Sequence, residues 1–136
     1  MRILLIVFIF MGMYTHLTAQ SLTVEVTNIE ELKGTIRVCL VTKEEDFLSS
    51  CEYGKIQAVS EDKEIILFEE VKAGTYALSL YHDQDDNGKL NTDGMFGLPS
   101  EPYGFSNNAK GMFGPPSFEK CLFEVVGEAI ITVKLR

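Results

Sequence analysis

Residues 74–81, Gly-Thr-Tyr-Ala-Leu-Ser-Leu-Tyr, decide the fold class. Tyr76, Leu78 and Leu80 recur at every second position, with Ala77, Ser79 and Tyr81 between them. Successive side chains of a strand point to opposite faces, so a period of two predicts a strand with one face in a core. The same rhythm continues on both sides. Leu22, Val24 and Val26 alternate with Thr23, Glu25 and Thr27, and Ile36, Val38 and Leu40 form a second strand with Arg37 facing out. Short strands are predicted at 56–59 and 64–68, and two more at 121–125 and 130–135 around a turn at Gly127. Residues 42–51 (TKEEDFLSSC) read as a connection with room for one helical turn, Phe47 and Leu48 tucked inward.

About seven short strands, polar turns and no long helix predict an all-β chain. The expected architecture is an antiparallel β-sandwich with Greek-key connections, transthyretin- or Ig-like. The run Phe68, Val71, Gly74, Tyr76 resembles the turn-and-strand signature of transthyretin-like and carboxypeptidase-regulatory-like domains. That resemblance implies a tight turn at the glycine and a tyrosine packed at the sandwich edge.

The 136 residues suit one domain, and a 46% hydrophobic fraction with nine Phe suffices for a packed core. Twenty acidic residues against 12 basic give a net charge of -8, which argues against nucleic acid and against an electrostatic hold on anionic membrane. Two His and no Trp weaken the common zinc-hydrolase sites.

Residues 1–20 (MRILLIVFIFMGMYTHLTAQ) carry Arg2, an apolar run from Ile3 to Tyr14, and the small pair Thr18-Ala19. This is the three-part pattern of a secretory signal peptide. The run is short for a bilayer span, which needs roughly 20 apolar residues, and an uncleaved anchor is the other reading. Cleavage is expected after Ala19 or Gln20, leaving one domain over 20–136, periplasmic or secreted, with no membrane span and with His82 as its one imidazole. An oxidising compartment permits disulfides. Of Cys39, Cys51 and Cys121 at most two can pair within a chain; Cys39 and Cys51 are the nearer pair, and the sequence leaves the connectivity open.

One stretch breaks the strand rhythm. Residues 82–118 hold all four Pro and six of the eleven Gly, without sustained periodicity. A loop this long is usually functional or disordered, and its aromatics argue for order. Within it, Asp83, Asp85 and Asn87 fall at alternate positions before Gly88. Lys89 follows with a backbone carbonyl, then Asn91 and Asp93. This is the oxygen spacing of a calcium loop, with glycine at the sharp turn. Gly94 stands where the closing bidentate Glu is expected, with Asp93 one residue early and Glu101 able to fold back. The same residues also suit an Asx-rich turn without metal. Tyr103, Phe105, Asn107 and Asn108 form a second candidate set, for hydrogen bonding and stacking on a polar ligand such as a sugar. The alternative is that these aromatics pin the loop and the amides satisfy its backbone.

Catalytic patterns are thin. The segment around Ser106 is half of a nucleophile elbow, and His82 beside Asp83 is an awkward pair, because neighbours in a strand face opposite ways. No phosphate loop, dinucleotide fingerprint or basic patch stands out.

The string HDxDxNGxLN, then GLPxExYGFSNNAKGxFGPPSFE, preceded by AGTYALSLYHD, resembles the exported bacterial proteins grouped as domain-of-unknown-function family 2141. The likeness runs from about Thr23 to Arg136. It implies an exported β-sandwich and no established activity. The function expected is a non-enzymatic binding or interaction module of the bacterial envelope, its partner an unknown ligand or envelope protein, its long loop the working surface. The alternatives are an envelope hydrolase or isomerase using His82 and loop carboxylates, or a structural assembly domain.

Overall fold

The computed structural model describes residues 20–136. The signal-peptide expectation falls on residues 1–19 and lies outside the described residues. The strands are β1 (Ser21–Thr27), β2 (Thr35–Val41), β3 (Tyr53–Ala58), β4 (Glu64–Glu69), β5 (Gly74–Asp83), β6 (Thr92–Asp93), β7 (Leu98–Pro99), β8 (Tyr103–Phe105), β9 (Leu122–Val125) and β10 (Glu128–Lys134). One helical turn, α1 (Phe118–Cys121), precedes β9, and single 3-10 turns occupy Glu44–Asp46 and Ser106–Asn108.

Two sheets form the sandwich. One has the order β10-β1-β4. The other has the order β3-β2-β5-β8, with β9 paired to the first half of β5 and β8 to its second half. The chain crosses between sheets from β1 to β2, from β3 to β4 and from β4 to β5. Facing residues at period two fill the space between: Leu22, Val24 and Val26 from β1, Ile36, Val38 and Leu40 from β2, Ile66 and Phe68 from β4, and Tyr76, Leu78 and Leu80 from β5.

The all-β sandwich is as the alternation predicts, with three differences. The strands exceed seven, because β6, β7 and β8 arise inside the aperiodic stretch, where two or three residues are too few to display a period. β1 and β10 pair in parallel, from Ser21↔Glu128 to Thr27↔Lys134. Alternation is the same in parallel and antiparallel strands, so only the register reveals the direction. Leu48 takes a left-handed φ of 61° and is exposed, whereas Phe47 does turn inward, with its ring 6.1 Å from Phe105 and 5.7 Å from Phe118.

The inner face of β5 also explains the tyrosine. Tyr76 is buried, and its hydroxyl donates to the Lys72 carbonyl at 2.7 Å. That bond ties the corner where the chain passes from β4 to β5. Tyr76→Phe keeps the ring and removes this half-buried hydrogen bond, so a loss of about 1 kcal/mol is expected in urea unfolding. An unchanged midpoint would show that the corner closes without it.

The outer face of the larger sheet carries a second apolar cluster, Val41, Ala77, Phe105 and Cys121. Cys39 and Cys51 are joined as a disulfide beside it, and Cys121 is free and buried, its thiol pushed up to about 11 by burial.

Candidate functional site

The site forms where β5 ends. Asp83 closes the strand on its outer face, two residues beyond Tyr81, which lies opposite Arg37 in β2. The Asp83 carboxylate is fully buried. It accepts Arg37 Nε–H at 2.6 Å, Gly88 N–H at 2.8 Å and Asn87 N–H at 3.1 Å. A loop that curls its N–H groups onto one aspartate needs a sharp reversal. Asp86 and Gly88 supply it with φ of 55° and 80°, where glycine carries no steric cost.

The rest of the loop wraps the same point. Asp85 accepts Asn87 N–H at 3.2 Å and the Asn91 amide at 2.8 Å, and the Asn87 amide donates to the Asn91 side-chain oxygen at 2.6 Å. Glu101 folds back from the far end of the β6–β7 hairpin and is buried. Its two oxygens accept Gln84 N–H at 2.8 Å and Asn91 N–H at 2.9 Å, which closes the loop at both ends. One oxygen from each of Asp83, Asp85 and Glu101 then lies within 4.8 Å of the other two.

Like charges this close repel, and the donors around them offset it. Burial pushes the Asp83 carboxyl up, but Arg37 and the Gly88 and Asn87 N–H groups outweigh it and hold it below the usual aspartate range. Arg37 is held above its ordinary value, chiefly by its hydrogen bond to Asp83. Glu64, the first residue of β4, behaves alike: burial raises it, and the Ser60 and Glu61 N–H groups more than reverse that. A depressed folded-state carboxyl stabilises the fold above its unfolded pKa of about 4, and the contribution is lost as pH falls through the folded value. Urea midpoints are therefore expected to drop below about pH 4, with a shallower drop in Asp83→Asn. An equal slope in that variant would remove Asp83 from the acid response.

The sequence-derived metal set is mostly brought together. Asp83, Asp85, Asn87 and Asn91 meet in one hydrogen-bonded cluster, and Lys89 joins it through its N–H, which donates to the Asn87 side-chain oxygen at 2.8 Å. Asp93 lies in β6 with its side chain exposed, outside the carboxylate cluster, where Glu101 stands instead. Arg37 is the member without a sequence cue, because only the β2–β5 register sets it beside Asp83.

The second set is engaged internally. The Asn107 amide donates to the Lys120 and Leu122 carbonyls at 3.1 and 2.8 Å. Asn108 accepts Lys134 N–H at 2.8 Å and donates to the Thr132 carbonyl at 3.3 Å. Both residues hold left-handed backbones, and together they clip the chain after β8 to β9 and β10. Phe105 is buried, and Tyr103 is half-buried beneath the Arg136 guanidinium, 5.4 Å from its ring centre. Ser106 is fully buried, its hydroxyl accepting Leu78 N–H at 3.0 Å and donating to the Cys121 carbonyl. His82 is also fully buried, with Nε2 2.7 Å from the Lys33 carbonyl and Nδ1 without a partner. It faces the sandwich interior while Asp83 faces outward, so the two do not form an acid–base pair.

The described residues contain no helix long and apolar enough to cross a membrane. No curated protein and no solved structure matches the chain. Residues 24–133 match the model of a bacterial family described as "Uncharacterized protein conserved in bacteria (DUF2141)". With that match spanning most of its length, and the sandwich and its Asp83 loop in place, the chain belongs to this family.

Proposed function

We propose that this protein is an exported, non-enzymatic binding or interaction module of the bacterial envelope, periplasmic or secreted, whose 83–101 loop is ordered by calcium. The observation that carries the reading is the convergence of Asp83, Asp85 and Glu101. Arg37 answers one of those three charges, and a divalent cation would answer the other two. Each carboxylate has about four acceptor positions, so the N–H bonds already present leave capacity for a metal. Calcium takes six to eight oxygens in flexible geometry. The three carboxylates, the Asn87 and Asn91 amide oxygens and the Lys89 carbonyl supply that number, Glu101 standing in for the closing glutamate of such loops.

Export is supported by residues 1–20 and by the Cys39–Cys51 bridge, which persists in an oxidising compartment. The buried His82 and the committed Ser106 hydroxyl favour binding over hydrolysis.

The test is thermal. At calcium near ten times Kd, linkage stabilises the fold by about 1.4 kcal/mol, and chelator reverses it. Asp85→Ala is expected to abolish the shift. Asp86→Ala is expected to keep it, since Asp86 is exposed and bonds Thr35 at 3.0 Å instead. No shift at millimolar calcium would leave the loop as an Asx-rich turn.

A further inference from the structure

The tetrapeptide Gly-Met-Phe-Gly occurs twice, at 94–97 and at 111–114. Met95 and Phe96 are 95% and 86% exposed, and Met112 and Phe113 are 88% and 99% exposed. The second tip is held out by its own backbone. A Cβ on Gly111 would overlap the Gly114 and Pro115 carbonyls, so the turn is tightly closed. Pro115 and Pro116 restrict the chain that leaves it. Two adjacent large apolar side chains almost wholly in water offer apolar surface for contact.

A shallow depression of about 330 Å³ is lined by Asn108, Lys110, Lys134, Leu135 and Arg136. Lys110 directly precedes the tip. Among the described residues none of these three cations is in an ion pair. Arg136 is anchored, its Nη2 donating to the Ala109 carbonyl at 2.5 Å. In a chain of net charge -8, Lys110, Lys134 and Arg136 gather three cations outside any ion pair at one depression.

We propose that Met112 and Phe113, with the Lys110, Lys134 and Arg136 depression, dock this protein on the phosphate-bearing interface of a phospholipid bilayer. An exposed Met-Phe tip joined through Lys110 to a cationic depression matches that interface: the ring and thioether enter the acyl boundary, and the cations meet the phosphates. A partner protein would need an apolar pocket for the tip and an acidic rim for the cations, whereas the bilayer interface supplies apolar depth and phosphate together. The acidic remainder of the molecule is screened beyond about 8 Å at physiological ionic strength. The inference does not depend on the calcium loop.

The experiment is co-sedimentation of the full chain, purified as the cell processes it, with two kinds of vesicle. One is phosphatidylcholine alone, and the other is equimolar phosphatidylcholine and phosphatidylglycerol. The wild type is expected to sediment with both, and more with the mixed vesicles. The paired change Met112→Ser, Phe113→Ser is expected to weaken both at least about tenfold. The paired change Lys110→Gln, Lys134→Gln is expected to weaken the mixed-vesicle binding about tenfold and the other less. All four side chains are exposed, so unchanged melting curves verify folding. Wild-type protein that stays in the supernatant with both vesicles overturns the proposal, as does sedimentation of the Met112/Phe113 variant at the wild-type level. Self-association lost in that variant, without vesicle binding, overturns it in favour of a protein interface.

Discussion

Asp83→Ala is expected to lower the unfolding free energy by about 3 kcal/mol, the lower end for breaking a buried pair, because Asp83 is buried while Arg37 is partly exposed. It is also expected to erase any stabilisation by calcium. The carboxylate is fully buried and receives Arg37, Gly88 and Asn87, so one side chain secures β2, the end of β5 and the loop reversal. Alanine leaves the guanidinium without its ion-pair partner and frees the Gly88 N–H, while the Asn87 N–H keeps Asp85. Urea unfolding with and without calcium measures both effects. Arg37→Met separates them, because it removes a tethered cation from the same carboxylate. The calcium-free fold is then expected to weaken while calcium binds more tightly. Weaker calcium binding in Arg37→Met would mean that the guanidinium shapes the site instead of competing for it.

The second large effect belongs to the disulfide. Cys39 in β2 and Cys51 before β3 are 12 residues apart in sequence, and their bridge closes the connection that carries Phe47 into the outer cluster. Closing a loop of that length is worth about 3 kcal/mol in the chain-entropy treatment. Reduction is therefore expected to lower the melting temperature by roughly 10 °C for a domain this size. Cys121 does not interfere: burial raises its thiol to about 11, so little thiolate exists at neutral pH to attack the bridge. The paired change Cys39→Ser, Cys51→Ser is expected to melt with the reduced protein. A melting temperature that ignores reductant, with both thiols freed by mass spectrometry, would show that β2–β3 pairing alone holds the connection.

The sandwich was legible in the sequence because its core follows a period of two through β1, β2, β4 and β5, and a period needs only local residues. Strand direction was not: the parallel β1–β10 pair joins the two ends of the described chain, and alternation carries no sign of it. The Asp83 loop was legible from its alternate oxygens and Gly88. Glu101 was visible only as a residue able to fold back, since its approach depends on the β6–β7 hairpin, two strands of two residues each. Arg37 read as an outward residue of a strand, which it is; its pairing with Asp83 follows from Arg37↔Tyr81 register across β2 and β5. Asn107 and Asn108 suited a ligand and the loop backbone alike, because a paired amide reads the same whether it meets a sugar or a backbone. The carbonyls they bond sit 13 to 24 residues farther along the chain. The twin Gly-Met-Phe-Gly tips were present in the sequence, but only their exposure distinguishes them from core residues.

The most direct measurement is a calorimetric titration of calcium into the protein stripped with chelator. One site is expected, with a Kd of roughly 10⁻⁴ to 10⁻³ M, the range of extracellular modules, and it is expected to vanish in Asp85→Ala. Absence of binding up to about ten times that range, or a site of equal affinity in Asp85→Ala, would contradict a calcium-ordered loop at Asp83, Asp85 and Glu101.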